Sequence, residues 1–160
     1  MFDGSNDYVY TANAAVVVPN TTTYNAVSWS AWVNPSTTVV SKTIVHKNNE
    51  FRLTTDANSY ANCAIYSSSW QTAAIASTAL PLSTWSHVLC TYDGANIRVY
   101  INGLPSGTTP AQTGLITSTN ATALNVGRDS AGSGYFNGTI DEVKIYGFAL
   151  SSDEVKTEYN

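Results

Sequence analysis

With 160 residues, 11% of them charged, and a net charge of −4, the chain is one domain's worth of sequence and carries no basic field of the kind that gathers phosphate backbones. Nucleic acid is therefore excluded as an expected partner. No apolar stretch is long enough to span a bilayer, and Met1-Phe2-Asp3-Gly4 lacks the basic segment and apolar run of a signal peptide.

Ser, Thr and Asn fill most polar positions, and β-branched and aromatic residues are frequent, which favours half-buried strands over helices. The expectation is one all-β domain over 1–160, a module of a larger protein. A surface wetted by hydroxyls and amides points to an extracellular or cell-surface location.

Taken in chain order, Val27-Ser28-Trp29-Ser30-Ala31-Trp32-Val33 alternates strictly, with Val27, Trp29, Ala31 and Val33 on one face, before Asn34-Pro35 ends the strand. Segments 43–53, 61–67, 85–92 and 97–101 read as further strands, the last two joined by the turn Asp93-Gly94-Ala95-Asn96. Asn102-Gly103 marks another turn. Leu124-Asn125-Val126-Gly127 and 140–146 supply two more strands around the glycine-rich stretch Ala131-Gly132-Ser133-Gly134. The one helix is expected at Ser152–Tyr159, with Ser151 as N-cap, Glu154 three residues on, and Leu150 and Val155 as a hydrophobic staple. With no helices between strands, the sheets should be antiparallel.

Cys63 and Cys90 each fall inside a strand. Either they bridge neighbouring strands, as in an exported protein, or they fill core volume as buried thiols. Their spacing fits no zinc motif. Three Asn-x-Ser/Thr sequons begin at Asn20, Asn120 and Asn137, the number expected by chance in so Thr- and Asn-rich a chain.

Five fragments in register carry a family resemblance: Phe2-Asp3-Gly4-Ser5-Asn6-Asp7-Tyr8-Val9, Ser28-Trp29-Ser30-Ala31-Trp32-Val33-Asn34-Pro35, Trp85-Ser86-His87-Val88 through Thr91-Tyr92-Asp93-Gly94, Val99-Tyr100-Ile101-Asn102-Gly103, and Gly138-Thr139-Ile140-Asp141-Glu142-Val143-Lys144-Ile145-Tyr146 followed by Ala149-Leu150-Ser151. In this set the chain resembles the laminin G-like modules of the concanavalin A-like lectin and glucanase superfamily. The resemblance implies a jelly roll of two packed, curved antiparallel sheets, and much less about function, because one fold hosts many. Asn102 stands where the family usually has an acid, which keeps the turn but removes a charge.

Three kinds of site follow. The first is calcium: Asp3 and Asp7 flank the turn at Gly4, and Asp141 shares strand parity with Val143 and Ile145, so its carboxylate is expected to point inward and need a partner. Calcium would then clamp the two ends of the chain, as the resemblance implies. The competing reading makes Asp3 and Asp7 turn formers and satisfies Asp141 with backbone amides.

The second is a sugar platform, with Trp70 in the polar stretch 67–71 and Tyr60, Tyr66 and Tyr135 near loops or strand ends. Trp29, Trp32 and Trp85 are expected in the core, and His87 as a structural histidine.

The third, catalysis, finds no support: Glu50, Glu142, Glu154 and Glu158 have no glycosidase spacing, and no nucleophile motif accompanies His46 or His87. The expected function is a non-catalytic binding module, most simply a carbohydrate-binding lectin domain with a structural calcium ion. The alternative is a structural or cell-adhesion module that binds an extracellular protein and no sugar.

Overall fold

The structure, a computed structural model, describes residues 1–12, 23–117 and 122–160. Its strands form two facing antiparallel sheets. One runs in the order β1 (Phe2–Asp3), β15 (Asn137–Tyr146), β4 (Val27–Pro35), β10 (Ser86–Tyr92), β11 (Ile97–Ile101) and β12 (Leu104–Ser106). The other runs β2 (Val9–Thr11), β14 (Leu124–Val126), β5 (Thr43–Lys47), β6 (Phe51–Thr55), β7 (Tyr60–Ser67) and β8 (Ser69–Trp70), with β9 (Ala74–Ala79) also paired to β7. A short ladder of β3 (Thr23–Tyr24) and β13 (Ile116–Thr117) completes the set. The expected all-β sandwich is present, with α1 (Ser152–Tyr159) as its one helix among the described residues.

The alternation read in 27–33 puts Val27, Trp29, Ala31 and Val33 in the interior, where the Trp29 ring lies 5.1 Å from Phe51 of the facing sheet. Ser28 and Ser30 on the opposite face are buried as well, because the segment leading into α1 folds across them. The Ser28 hydroxyl donates to the Phe148 carbonyl and accepts from the Leu150 amide, both at 2.9 Å. Leu150 and Val155 pack there with Leu89 and Tyr100 in a second, smaller apolar cluster. The helix begins with the expected capping box between Ser151 and Glu154.

Cys63 and Cys90 form a disulfide. It joins β7 to β10, so it crosses the interior between the two sheets and does not link neighbours within one. Sequons at Asn20 and Asn120 begin outside the described residues, and the Asn137 side-chain Nδ2 donates to the Asp3 carbonyl at 2.8 Å.

Segment 43–53 is two strands and not one. The chain reverses at residues 48–50, with Asn49 in the left-handed region at φ 58° and the Glu50 amide donating to the Lys47 carbonyl. Strand 137–146 starts earlier than expected and carries a bulge between Asp141 and Lys144, where Glu142 adopts φ 44°. The bulge breaks the period of two: Ile140 pairs with the inward Val33 and Ile145 with the inward Trp29, leaving Asp141 opposite Trp32, exposed on the outer face. The inward carboxylate expected from simple parity does not exist.

A disulfide closing a segment of 27 residues removes loop entropy from the unfolded chain worth about 3.5 kcal/mol. Cys63→Ala/Cys90→Ala is expected to lower the unfolding free energy in urea by roughly that amount while preserving the strand signature in circular dichroism. A loss below about 1 kcal/mol would show that the bridge constrains little.

Candidate functional site

On the outer face of the sheet containing β5, β6 and β7, side chains of opposite parity to the core meet across the strands. His46 is in register with Arg52 and with Asn125, and Thr54 with Asn62. Beyond β7 the chain turns tightly at Ser68, φ 62°, and β8 runs back so that Trp70 pairs with Tyr66. This turn folds the Trp70 indole over the sheet. The Arg52 guanidinium carbon lies 4.4 Å from its ring centre, and the His46 and Tyr66 rings lie at 5.6 and 5.5 Å.

The opposite wall is the glycine-rich loop. Its neck is closed by the Phe136 amide donating to the Gly127 carbonyl, and it is fastened to β5 by the Thr43 amide donating to the Gly134 carbonyl at 2.8 Å. Gly134 sits at φ 64°, and a Cβ there would come within 3.1 Å of the Thr43 hydroxyl, so the close approach requires glycine. At the loop's tip, Asp129 accepts from the amides of Ala131 and Ser133 and from the Ser133 hydroxyl. The Ser130 amide donates to His46 Nδ1 at 3.0 Å, which ties the loop to the sheet.

Between these walls is a groove of about 490 Å³, lined by His46, Arg52, Asn62, Trp70 and Asp129 with hydroxyl residues around them. Its volume lies within the range of small-ligand sites. The Nε of Arg52 and the Oδ1 of Asn62 are buried and have no hydrogen-bond partner among the described residues. Asp129 is the one carboxylate among the lining residues.

Burial depresses the His46 imidazole to about 4; the Asp129 carboxylate opposes this shift and the Arg52 charge adds to it. Burial also lowers Arg52, an arginine that still keeps its charge. For Asp129, burial pushes the carboxyl up, but the donors from Ser133 and Ala131 outweigh it and hold it below the usual range. At neutral pH the groove thus presents a cation, an anion, a neutral imidazole and an indole.

Of the residues anticipated as a platform, Trp70 lines this groove and Tyr66 supports it from behind. Tyr60 pairs with Ala79 at the far edge of β7, and Tyr135 stands at the base of the glycine-rich loop; neither lines the groove. Arg52, His46, Asn62 and Asp129 carry most of its polar character and were not anticipated. Their only trace in the sequence is the alternation around Arg52 and Thr54, legible once the turn at 48–50 is known.

Of the residues expected to hold calcium, Asp3, Gly4 and Asp7 share one turn and Asp141 stands apart from them. Asp3 and Asp7 share the first turn: Asp3 Oδ1 accepts from the Ser5 and Asn6 amides, and Asp7 Oδ2 accepts from the Asp3 amide at 3.0 Å. Gly4, at φ 83°, lets the turn pass against Asn137. Asp3 pairs with Asn137, four residues along β15 from Asp141, a distance of roughly 13 Å. Asp141 accepts from the Glu142 amide and faces outward. Among the described residues, no three His, Cys, Asp or Glu side chains gather as a metal centre.

The glutamates are all engaged structurally. Glu50 is buried against Lys47, Glu142 and Glu158 both reach Lys144, and Glu154 caps α1. Of the tryptophans assigned to the core, Trp29 is fully buried, Trp32 is half-buried on the outer face, and Trp85 is 42% exposed. His87 is buried with its ring tilted against Trp32, and its Nδ1 has no hydrogen-bond partner among the described residues. Asn102 keeps the turn at φ 51° and accepts from the His87 amide.

Against known proteins, a family model described as the concanavalin A-like lectin/glucanases superfamily matches residues 3–156. No curated protein sequence matches the chain. Among solved structures, domain 4 of the extracellular arabinanase AbnA from Geobacillus stearothermophilus, in complex with arabinotriose, superposes with a TM-score of 0.71 at 19% identity, covering 100% of this chain and 87% of that one. The CBM40 of the IT-sialidase from Ruminococcus gnavus, bound to α2,3-sialyllactose, gives 0.67 at 14% identity over 86% and 84%. The SAP-like pentraxin from Limulus polyphemus gives 0.65 at 16% identity over 99% and 80%.

Because the fold holds His46 neutral, its unfolded form binds a proton that the folded form refuses at any pH between about 6.5 and 4. Stability from this group is complete above about 6.5 and declines as pH falls toward 4. A proton-detected titration of the imidazole should therefore show a His46 midpoint near 4, accompanied by release of the Ser130 amide. A midpoint near 6.5 would contradict the buried, acceptor-only role of Nδ1.

Proposed function

Because the chain belongs to the concanavalin A-like lectin/glucanases superfamily, we propose that it works as a non-catalytic carbohydrate-binding module, with the groove beside Trp70 as its sugar site. The observation that carries this reading is the lining of the groove, where the Arg52 guanidinium lies over the Trp70 indole and the Asp129 carboxylate stands on the opposite wall. A sugar hydroxyl can accept from the terminal N–H groups of the Arg52 guanidinium, while the apolar C–H face of the ring lies against Trp70. Asp129 accepts a further hydroxyl at the other wall.

Glycoside hydrolysis needs two carboxyl groups across the scissile bond, and the groove presents one, which supports binding without turnover. The carbohydrate complexes of the arabinanase domain and the sialidase module support the same class of ligand. The extracellular setting of the arabinanase supports an extracellular or cell-surface location, and both neighbours, being parts of larger enzymes, support a place in a larger protein. The alternative, adhesion to an extracellular protein with no sugar, lacks an observation of comparable weight at this groove.

A glycan array screened with the purified domain is expected to give binding to a defined glycan. Trp70→Ala and Arg52→Met should each weaken it at least about tenfold. Silence across a broad array, or binding that both variants retain, would remove the groove from the reading.

Calcium enters the proposal only at the Asp3–Asp7 turn, where both carboxylates accept from backbone amides of the same turn. An ion bound there by the folded chain alone stabilises it by mass action. The melting temperature should rise with calcium and fall on chelation in the wild type, with no such response in Asp7→Asn and an unchanged response in Asp141→Asn. No response in the wild type would dismiss the ion.

A further inference from the structure

The opposite sheet carries a second constellation that the sugar groove does not use. Asp141, Trp32 and His87 lie in one row across β15, β4 and β10, and Trp85 immediately precedes β10, two residues before His87. Trp32, Trp85, Asp141 and Glu142 line a shallow hollow of about 380 Å³. A lone exposed tryptophan is ordinary, but two indoles and two carboxylates converging on one hollow are not.

The hollow is built. Trp32 is held from one side by Tyr159 of α1, whose ring stacks at 5.7 Å, and from another by His87 at 5.2 Å. The bulge at Asp141/Lys144, with Glu142 in the left-handed region, turns the Asp141 carboxylate away from the core and sets it beside Trp32. Bulges re-aim side chains in this way, and a strained non-glycine residue persists only where its surroundings over-determine it.

Charge then selects the occupant. Lys144 is the cation nearby, and it is shared between Glu142 at 3.4 Å and Glu158 at 3.1 Å. Asp141 makes no ion pair among the described residues, and its Oδ1 accepts from the neighbouring Glu142 amide. Around the hollow, three carboxylates therefore face one ammonium, and the indole faces add the negative potential that attracts cations. His87 adds no positive charge at neutral pH, since burial and then the Lys144 charge lower it.

We infer that this hollow takes the protonated amine of a lysine side chain projecting from a partner polypeptide, with the alkyl stem between Trp32 and Trp85 and the ammonium on Asp141. The shallow, open form suits a side chain that arrives with a surface behind it. The site is independent of the sugar groove, because the two lie on the outer faces of opposite sheets.

The test is a titration of the tryptophan-¹⁵N-labelled domain with the peptide acetyl-Gly-Lys-Gly-amide, following the four indole N–H resonances. Shifts are expected at Trp32 and Trp85 and not at Trp29 or Trp70. The same peptide acetylated on the lysine amine should bind at least about tenfold more weakly, as should the charged peptide to Asp141→Asn, whose exposed position leaves the fold intact. Binding should also weaken as salt rises, while Trp70→Ala leaves it unchanged. Equal binding of the acetylated peptide would overturn the cation reading in favour of plain apolar contact. Shifts at Trp70, no shifts at all, or saturation of Trp32 and Trp85 by a neutral sugar would overturn the lysine site.

Discussion

A buried ion pair at the turn between β5 and β6 is the constraint on which the groove depends. Lys47 and Glu50 are both without solvent exposure and lie 3.3 Å apart. Two charges withdrawn from water cost several kcal/mol each unless their remaining valences are met. Here the Tyr24 hydroxyl donates to Glu50 at 2.7 Å, and the Lys47 ammonium donates to the Thr122 carbonyl at 2.8 Å. The phenol of Tyr24 is pushed far above its ordinary range by burial and by the Glu50 carboxylate, so it remains a donor. The Glu50 carbonyl meanwhile accepts the Tyr66 amide at 2.8 Å. One turn thus fixes the register that sets His46 beside Arg52, and it anchors the start of the hairpin that carries Trp70.

From that anchor the two outer faces diverge in character. The face bearing β5 to β8 is walled by the glycine-rich loop and mixes a cation, an anion, amides and hydroxyls. The other face is partly covered by α1 and the segment before it, which buries Ser28, Ser30 and Leu89 on a side that an ordinary sandwich would leave wet. What α1 leaves uncovered is the margin at Trp32, Trp85 and Asp141, where carboxylates outnumber cations. The disulfide between β7 and β10 holds the two layers together through the interior and touches neither surface.

Glutamates illustrate why inventory alone misleads about chemistry. Glu50, judged from spacing only as a failed catalytic acid, is a structural charge beneath the groove, and Glu154 closes the first turn of the helix. Each is used for what its neighbours in space require. Arg52 is the converse: a single arginine in an alternating strand that becomes the groove's central cation because Trp70 folds onto it.

The sequence by itself determined the all-β class, the interior face of 27–33 and the capped C-terminal helix, because each follows from local periodicity or short-range capping chemistry. It left the cysteine pairing open, and it placed Asp141 inward and Trp85 in the core. Those three were decided by tertiary structure. A disulfide across two sheets depends on which strands face one another, and a single-residue bulge reverses the facing of every residue beyond it without altering the pattern that announces a strand. The groove was decided in the same way, since His46, Arg52, Asn62 and Asp129 come together through strand register and a loop fastened to β5, contacts that no spacing along the chain records.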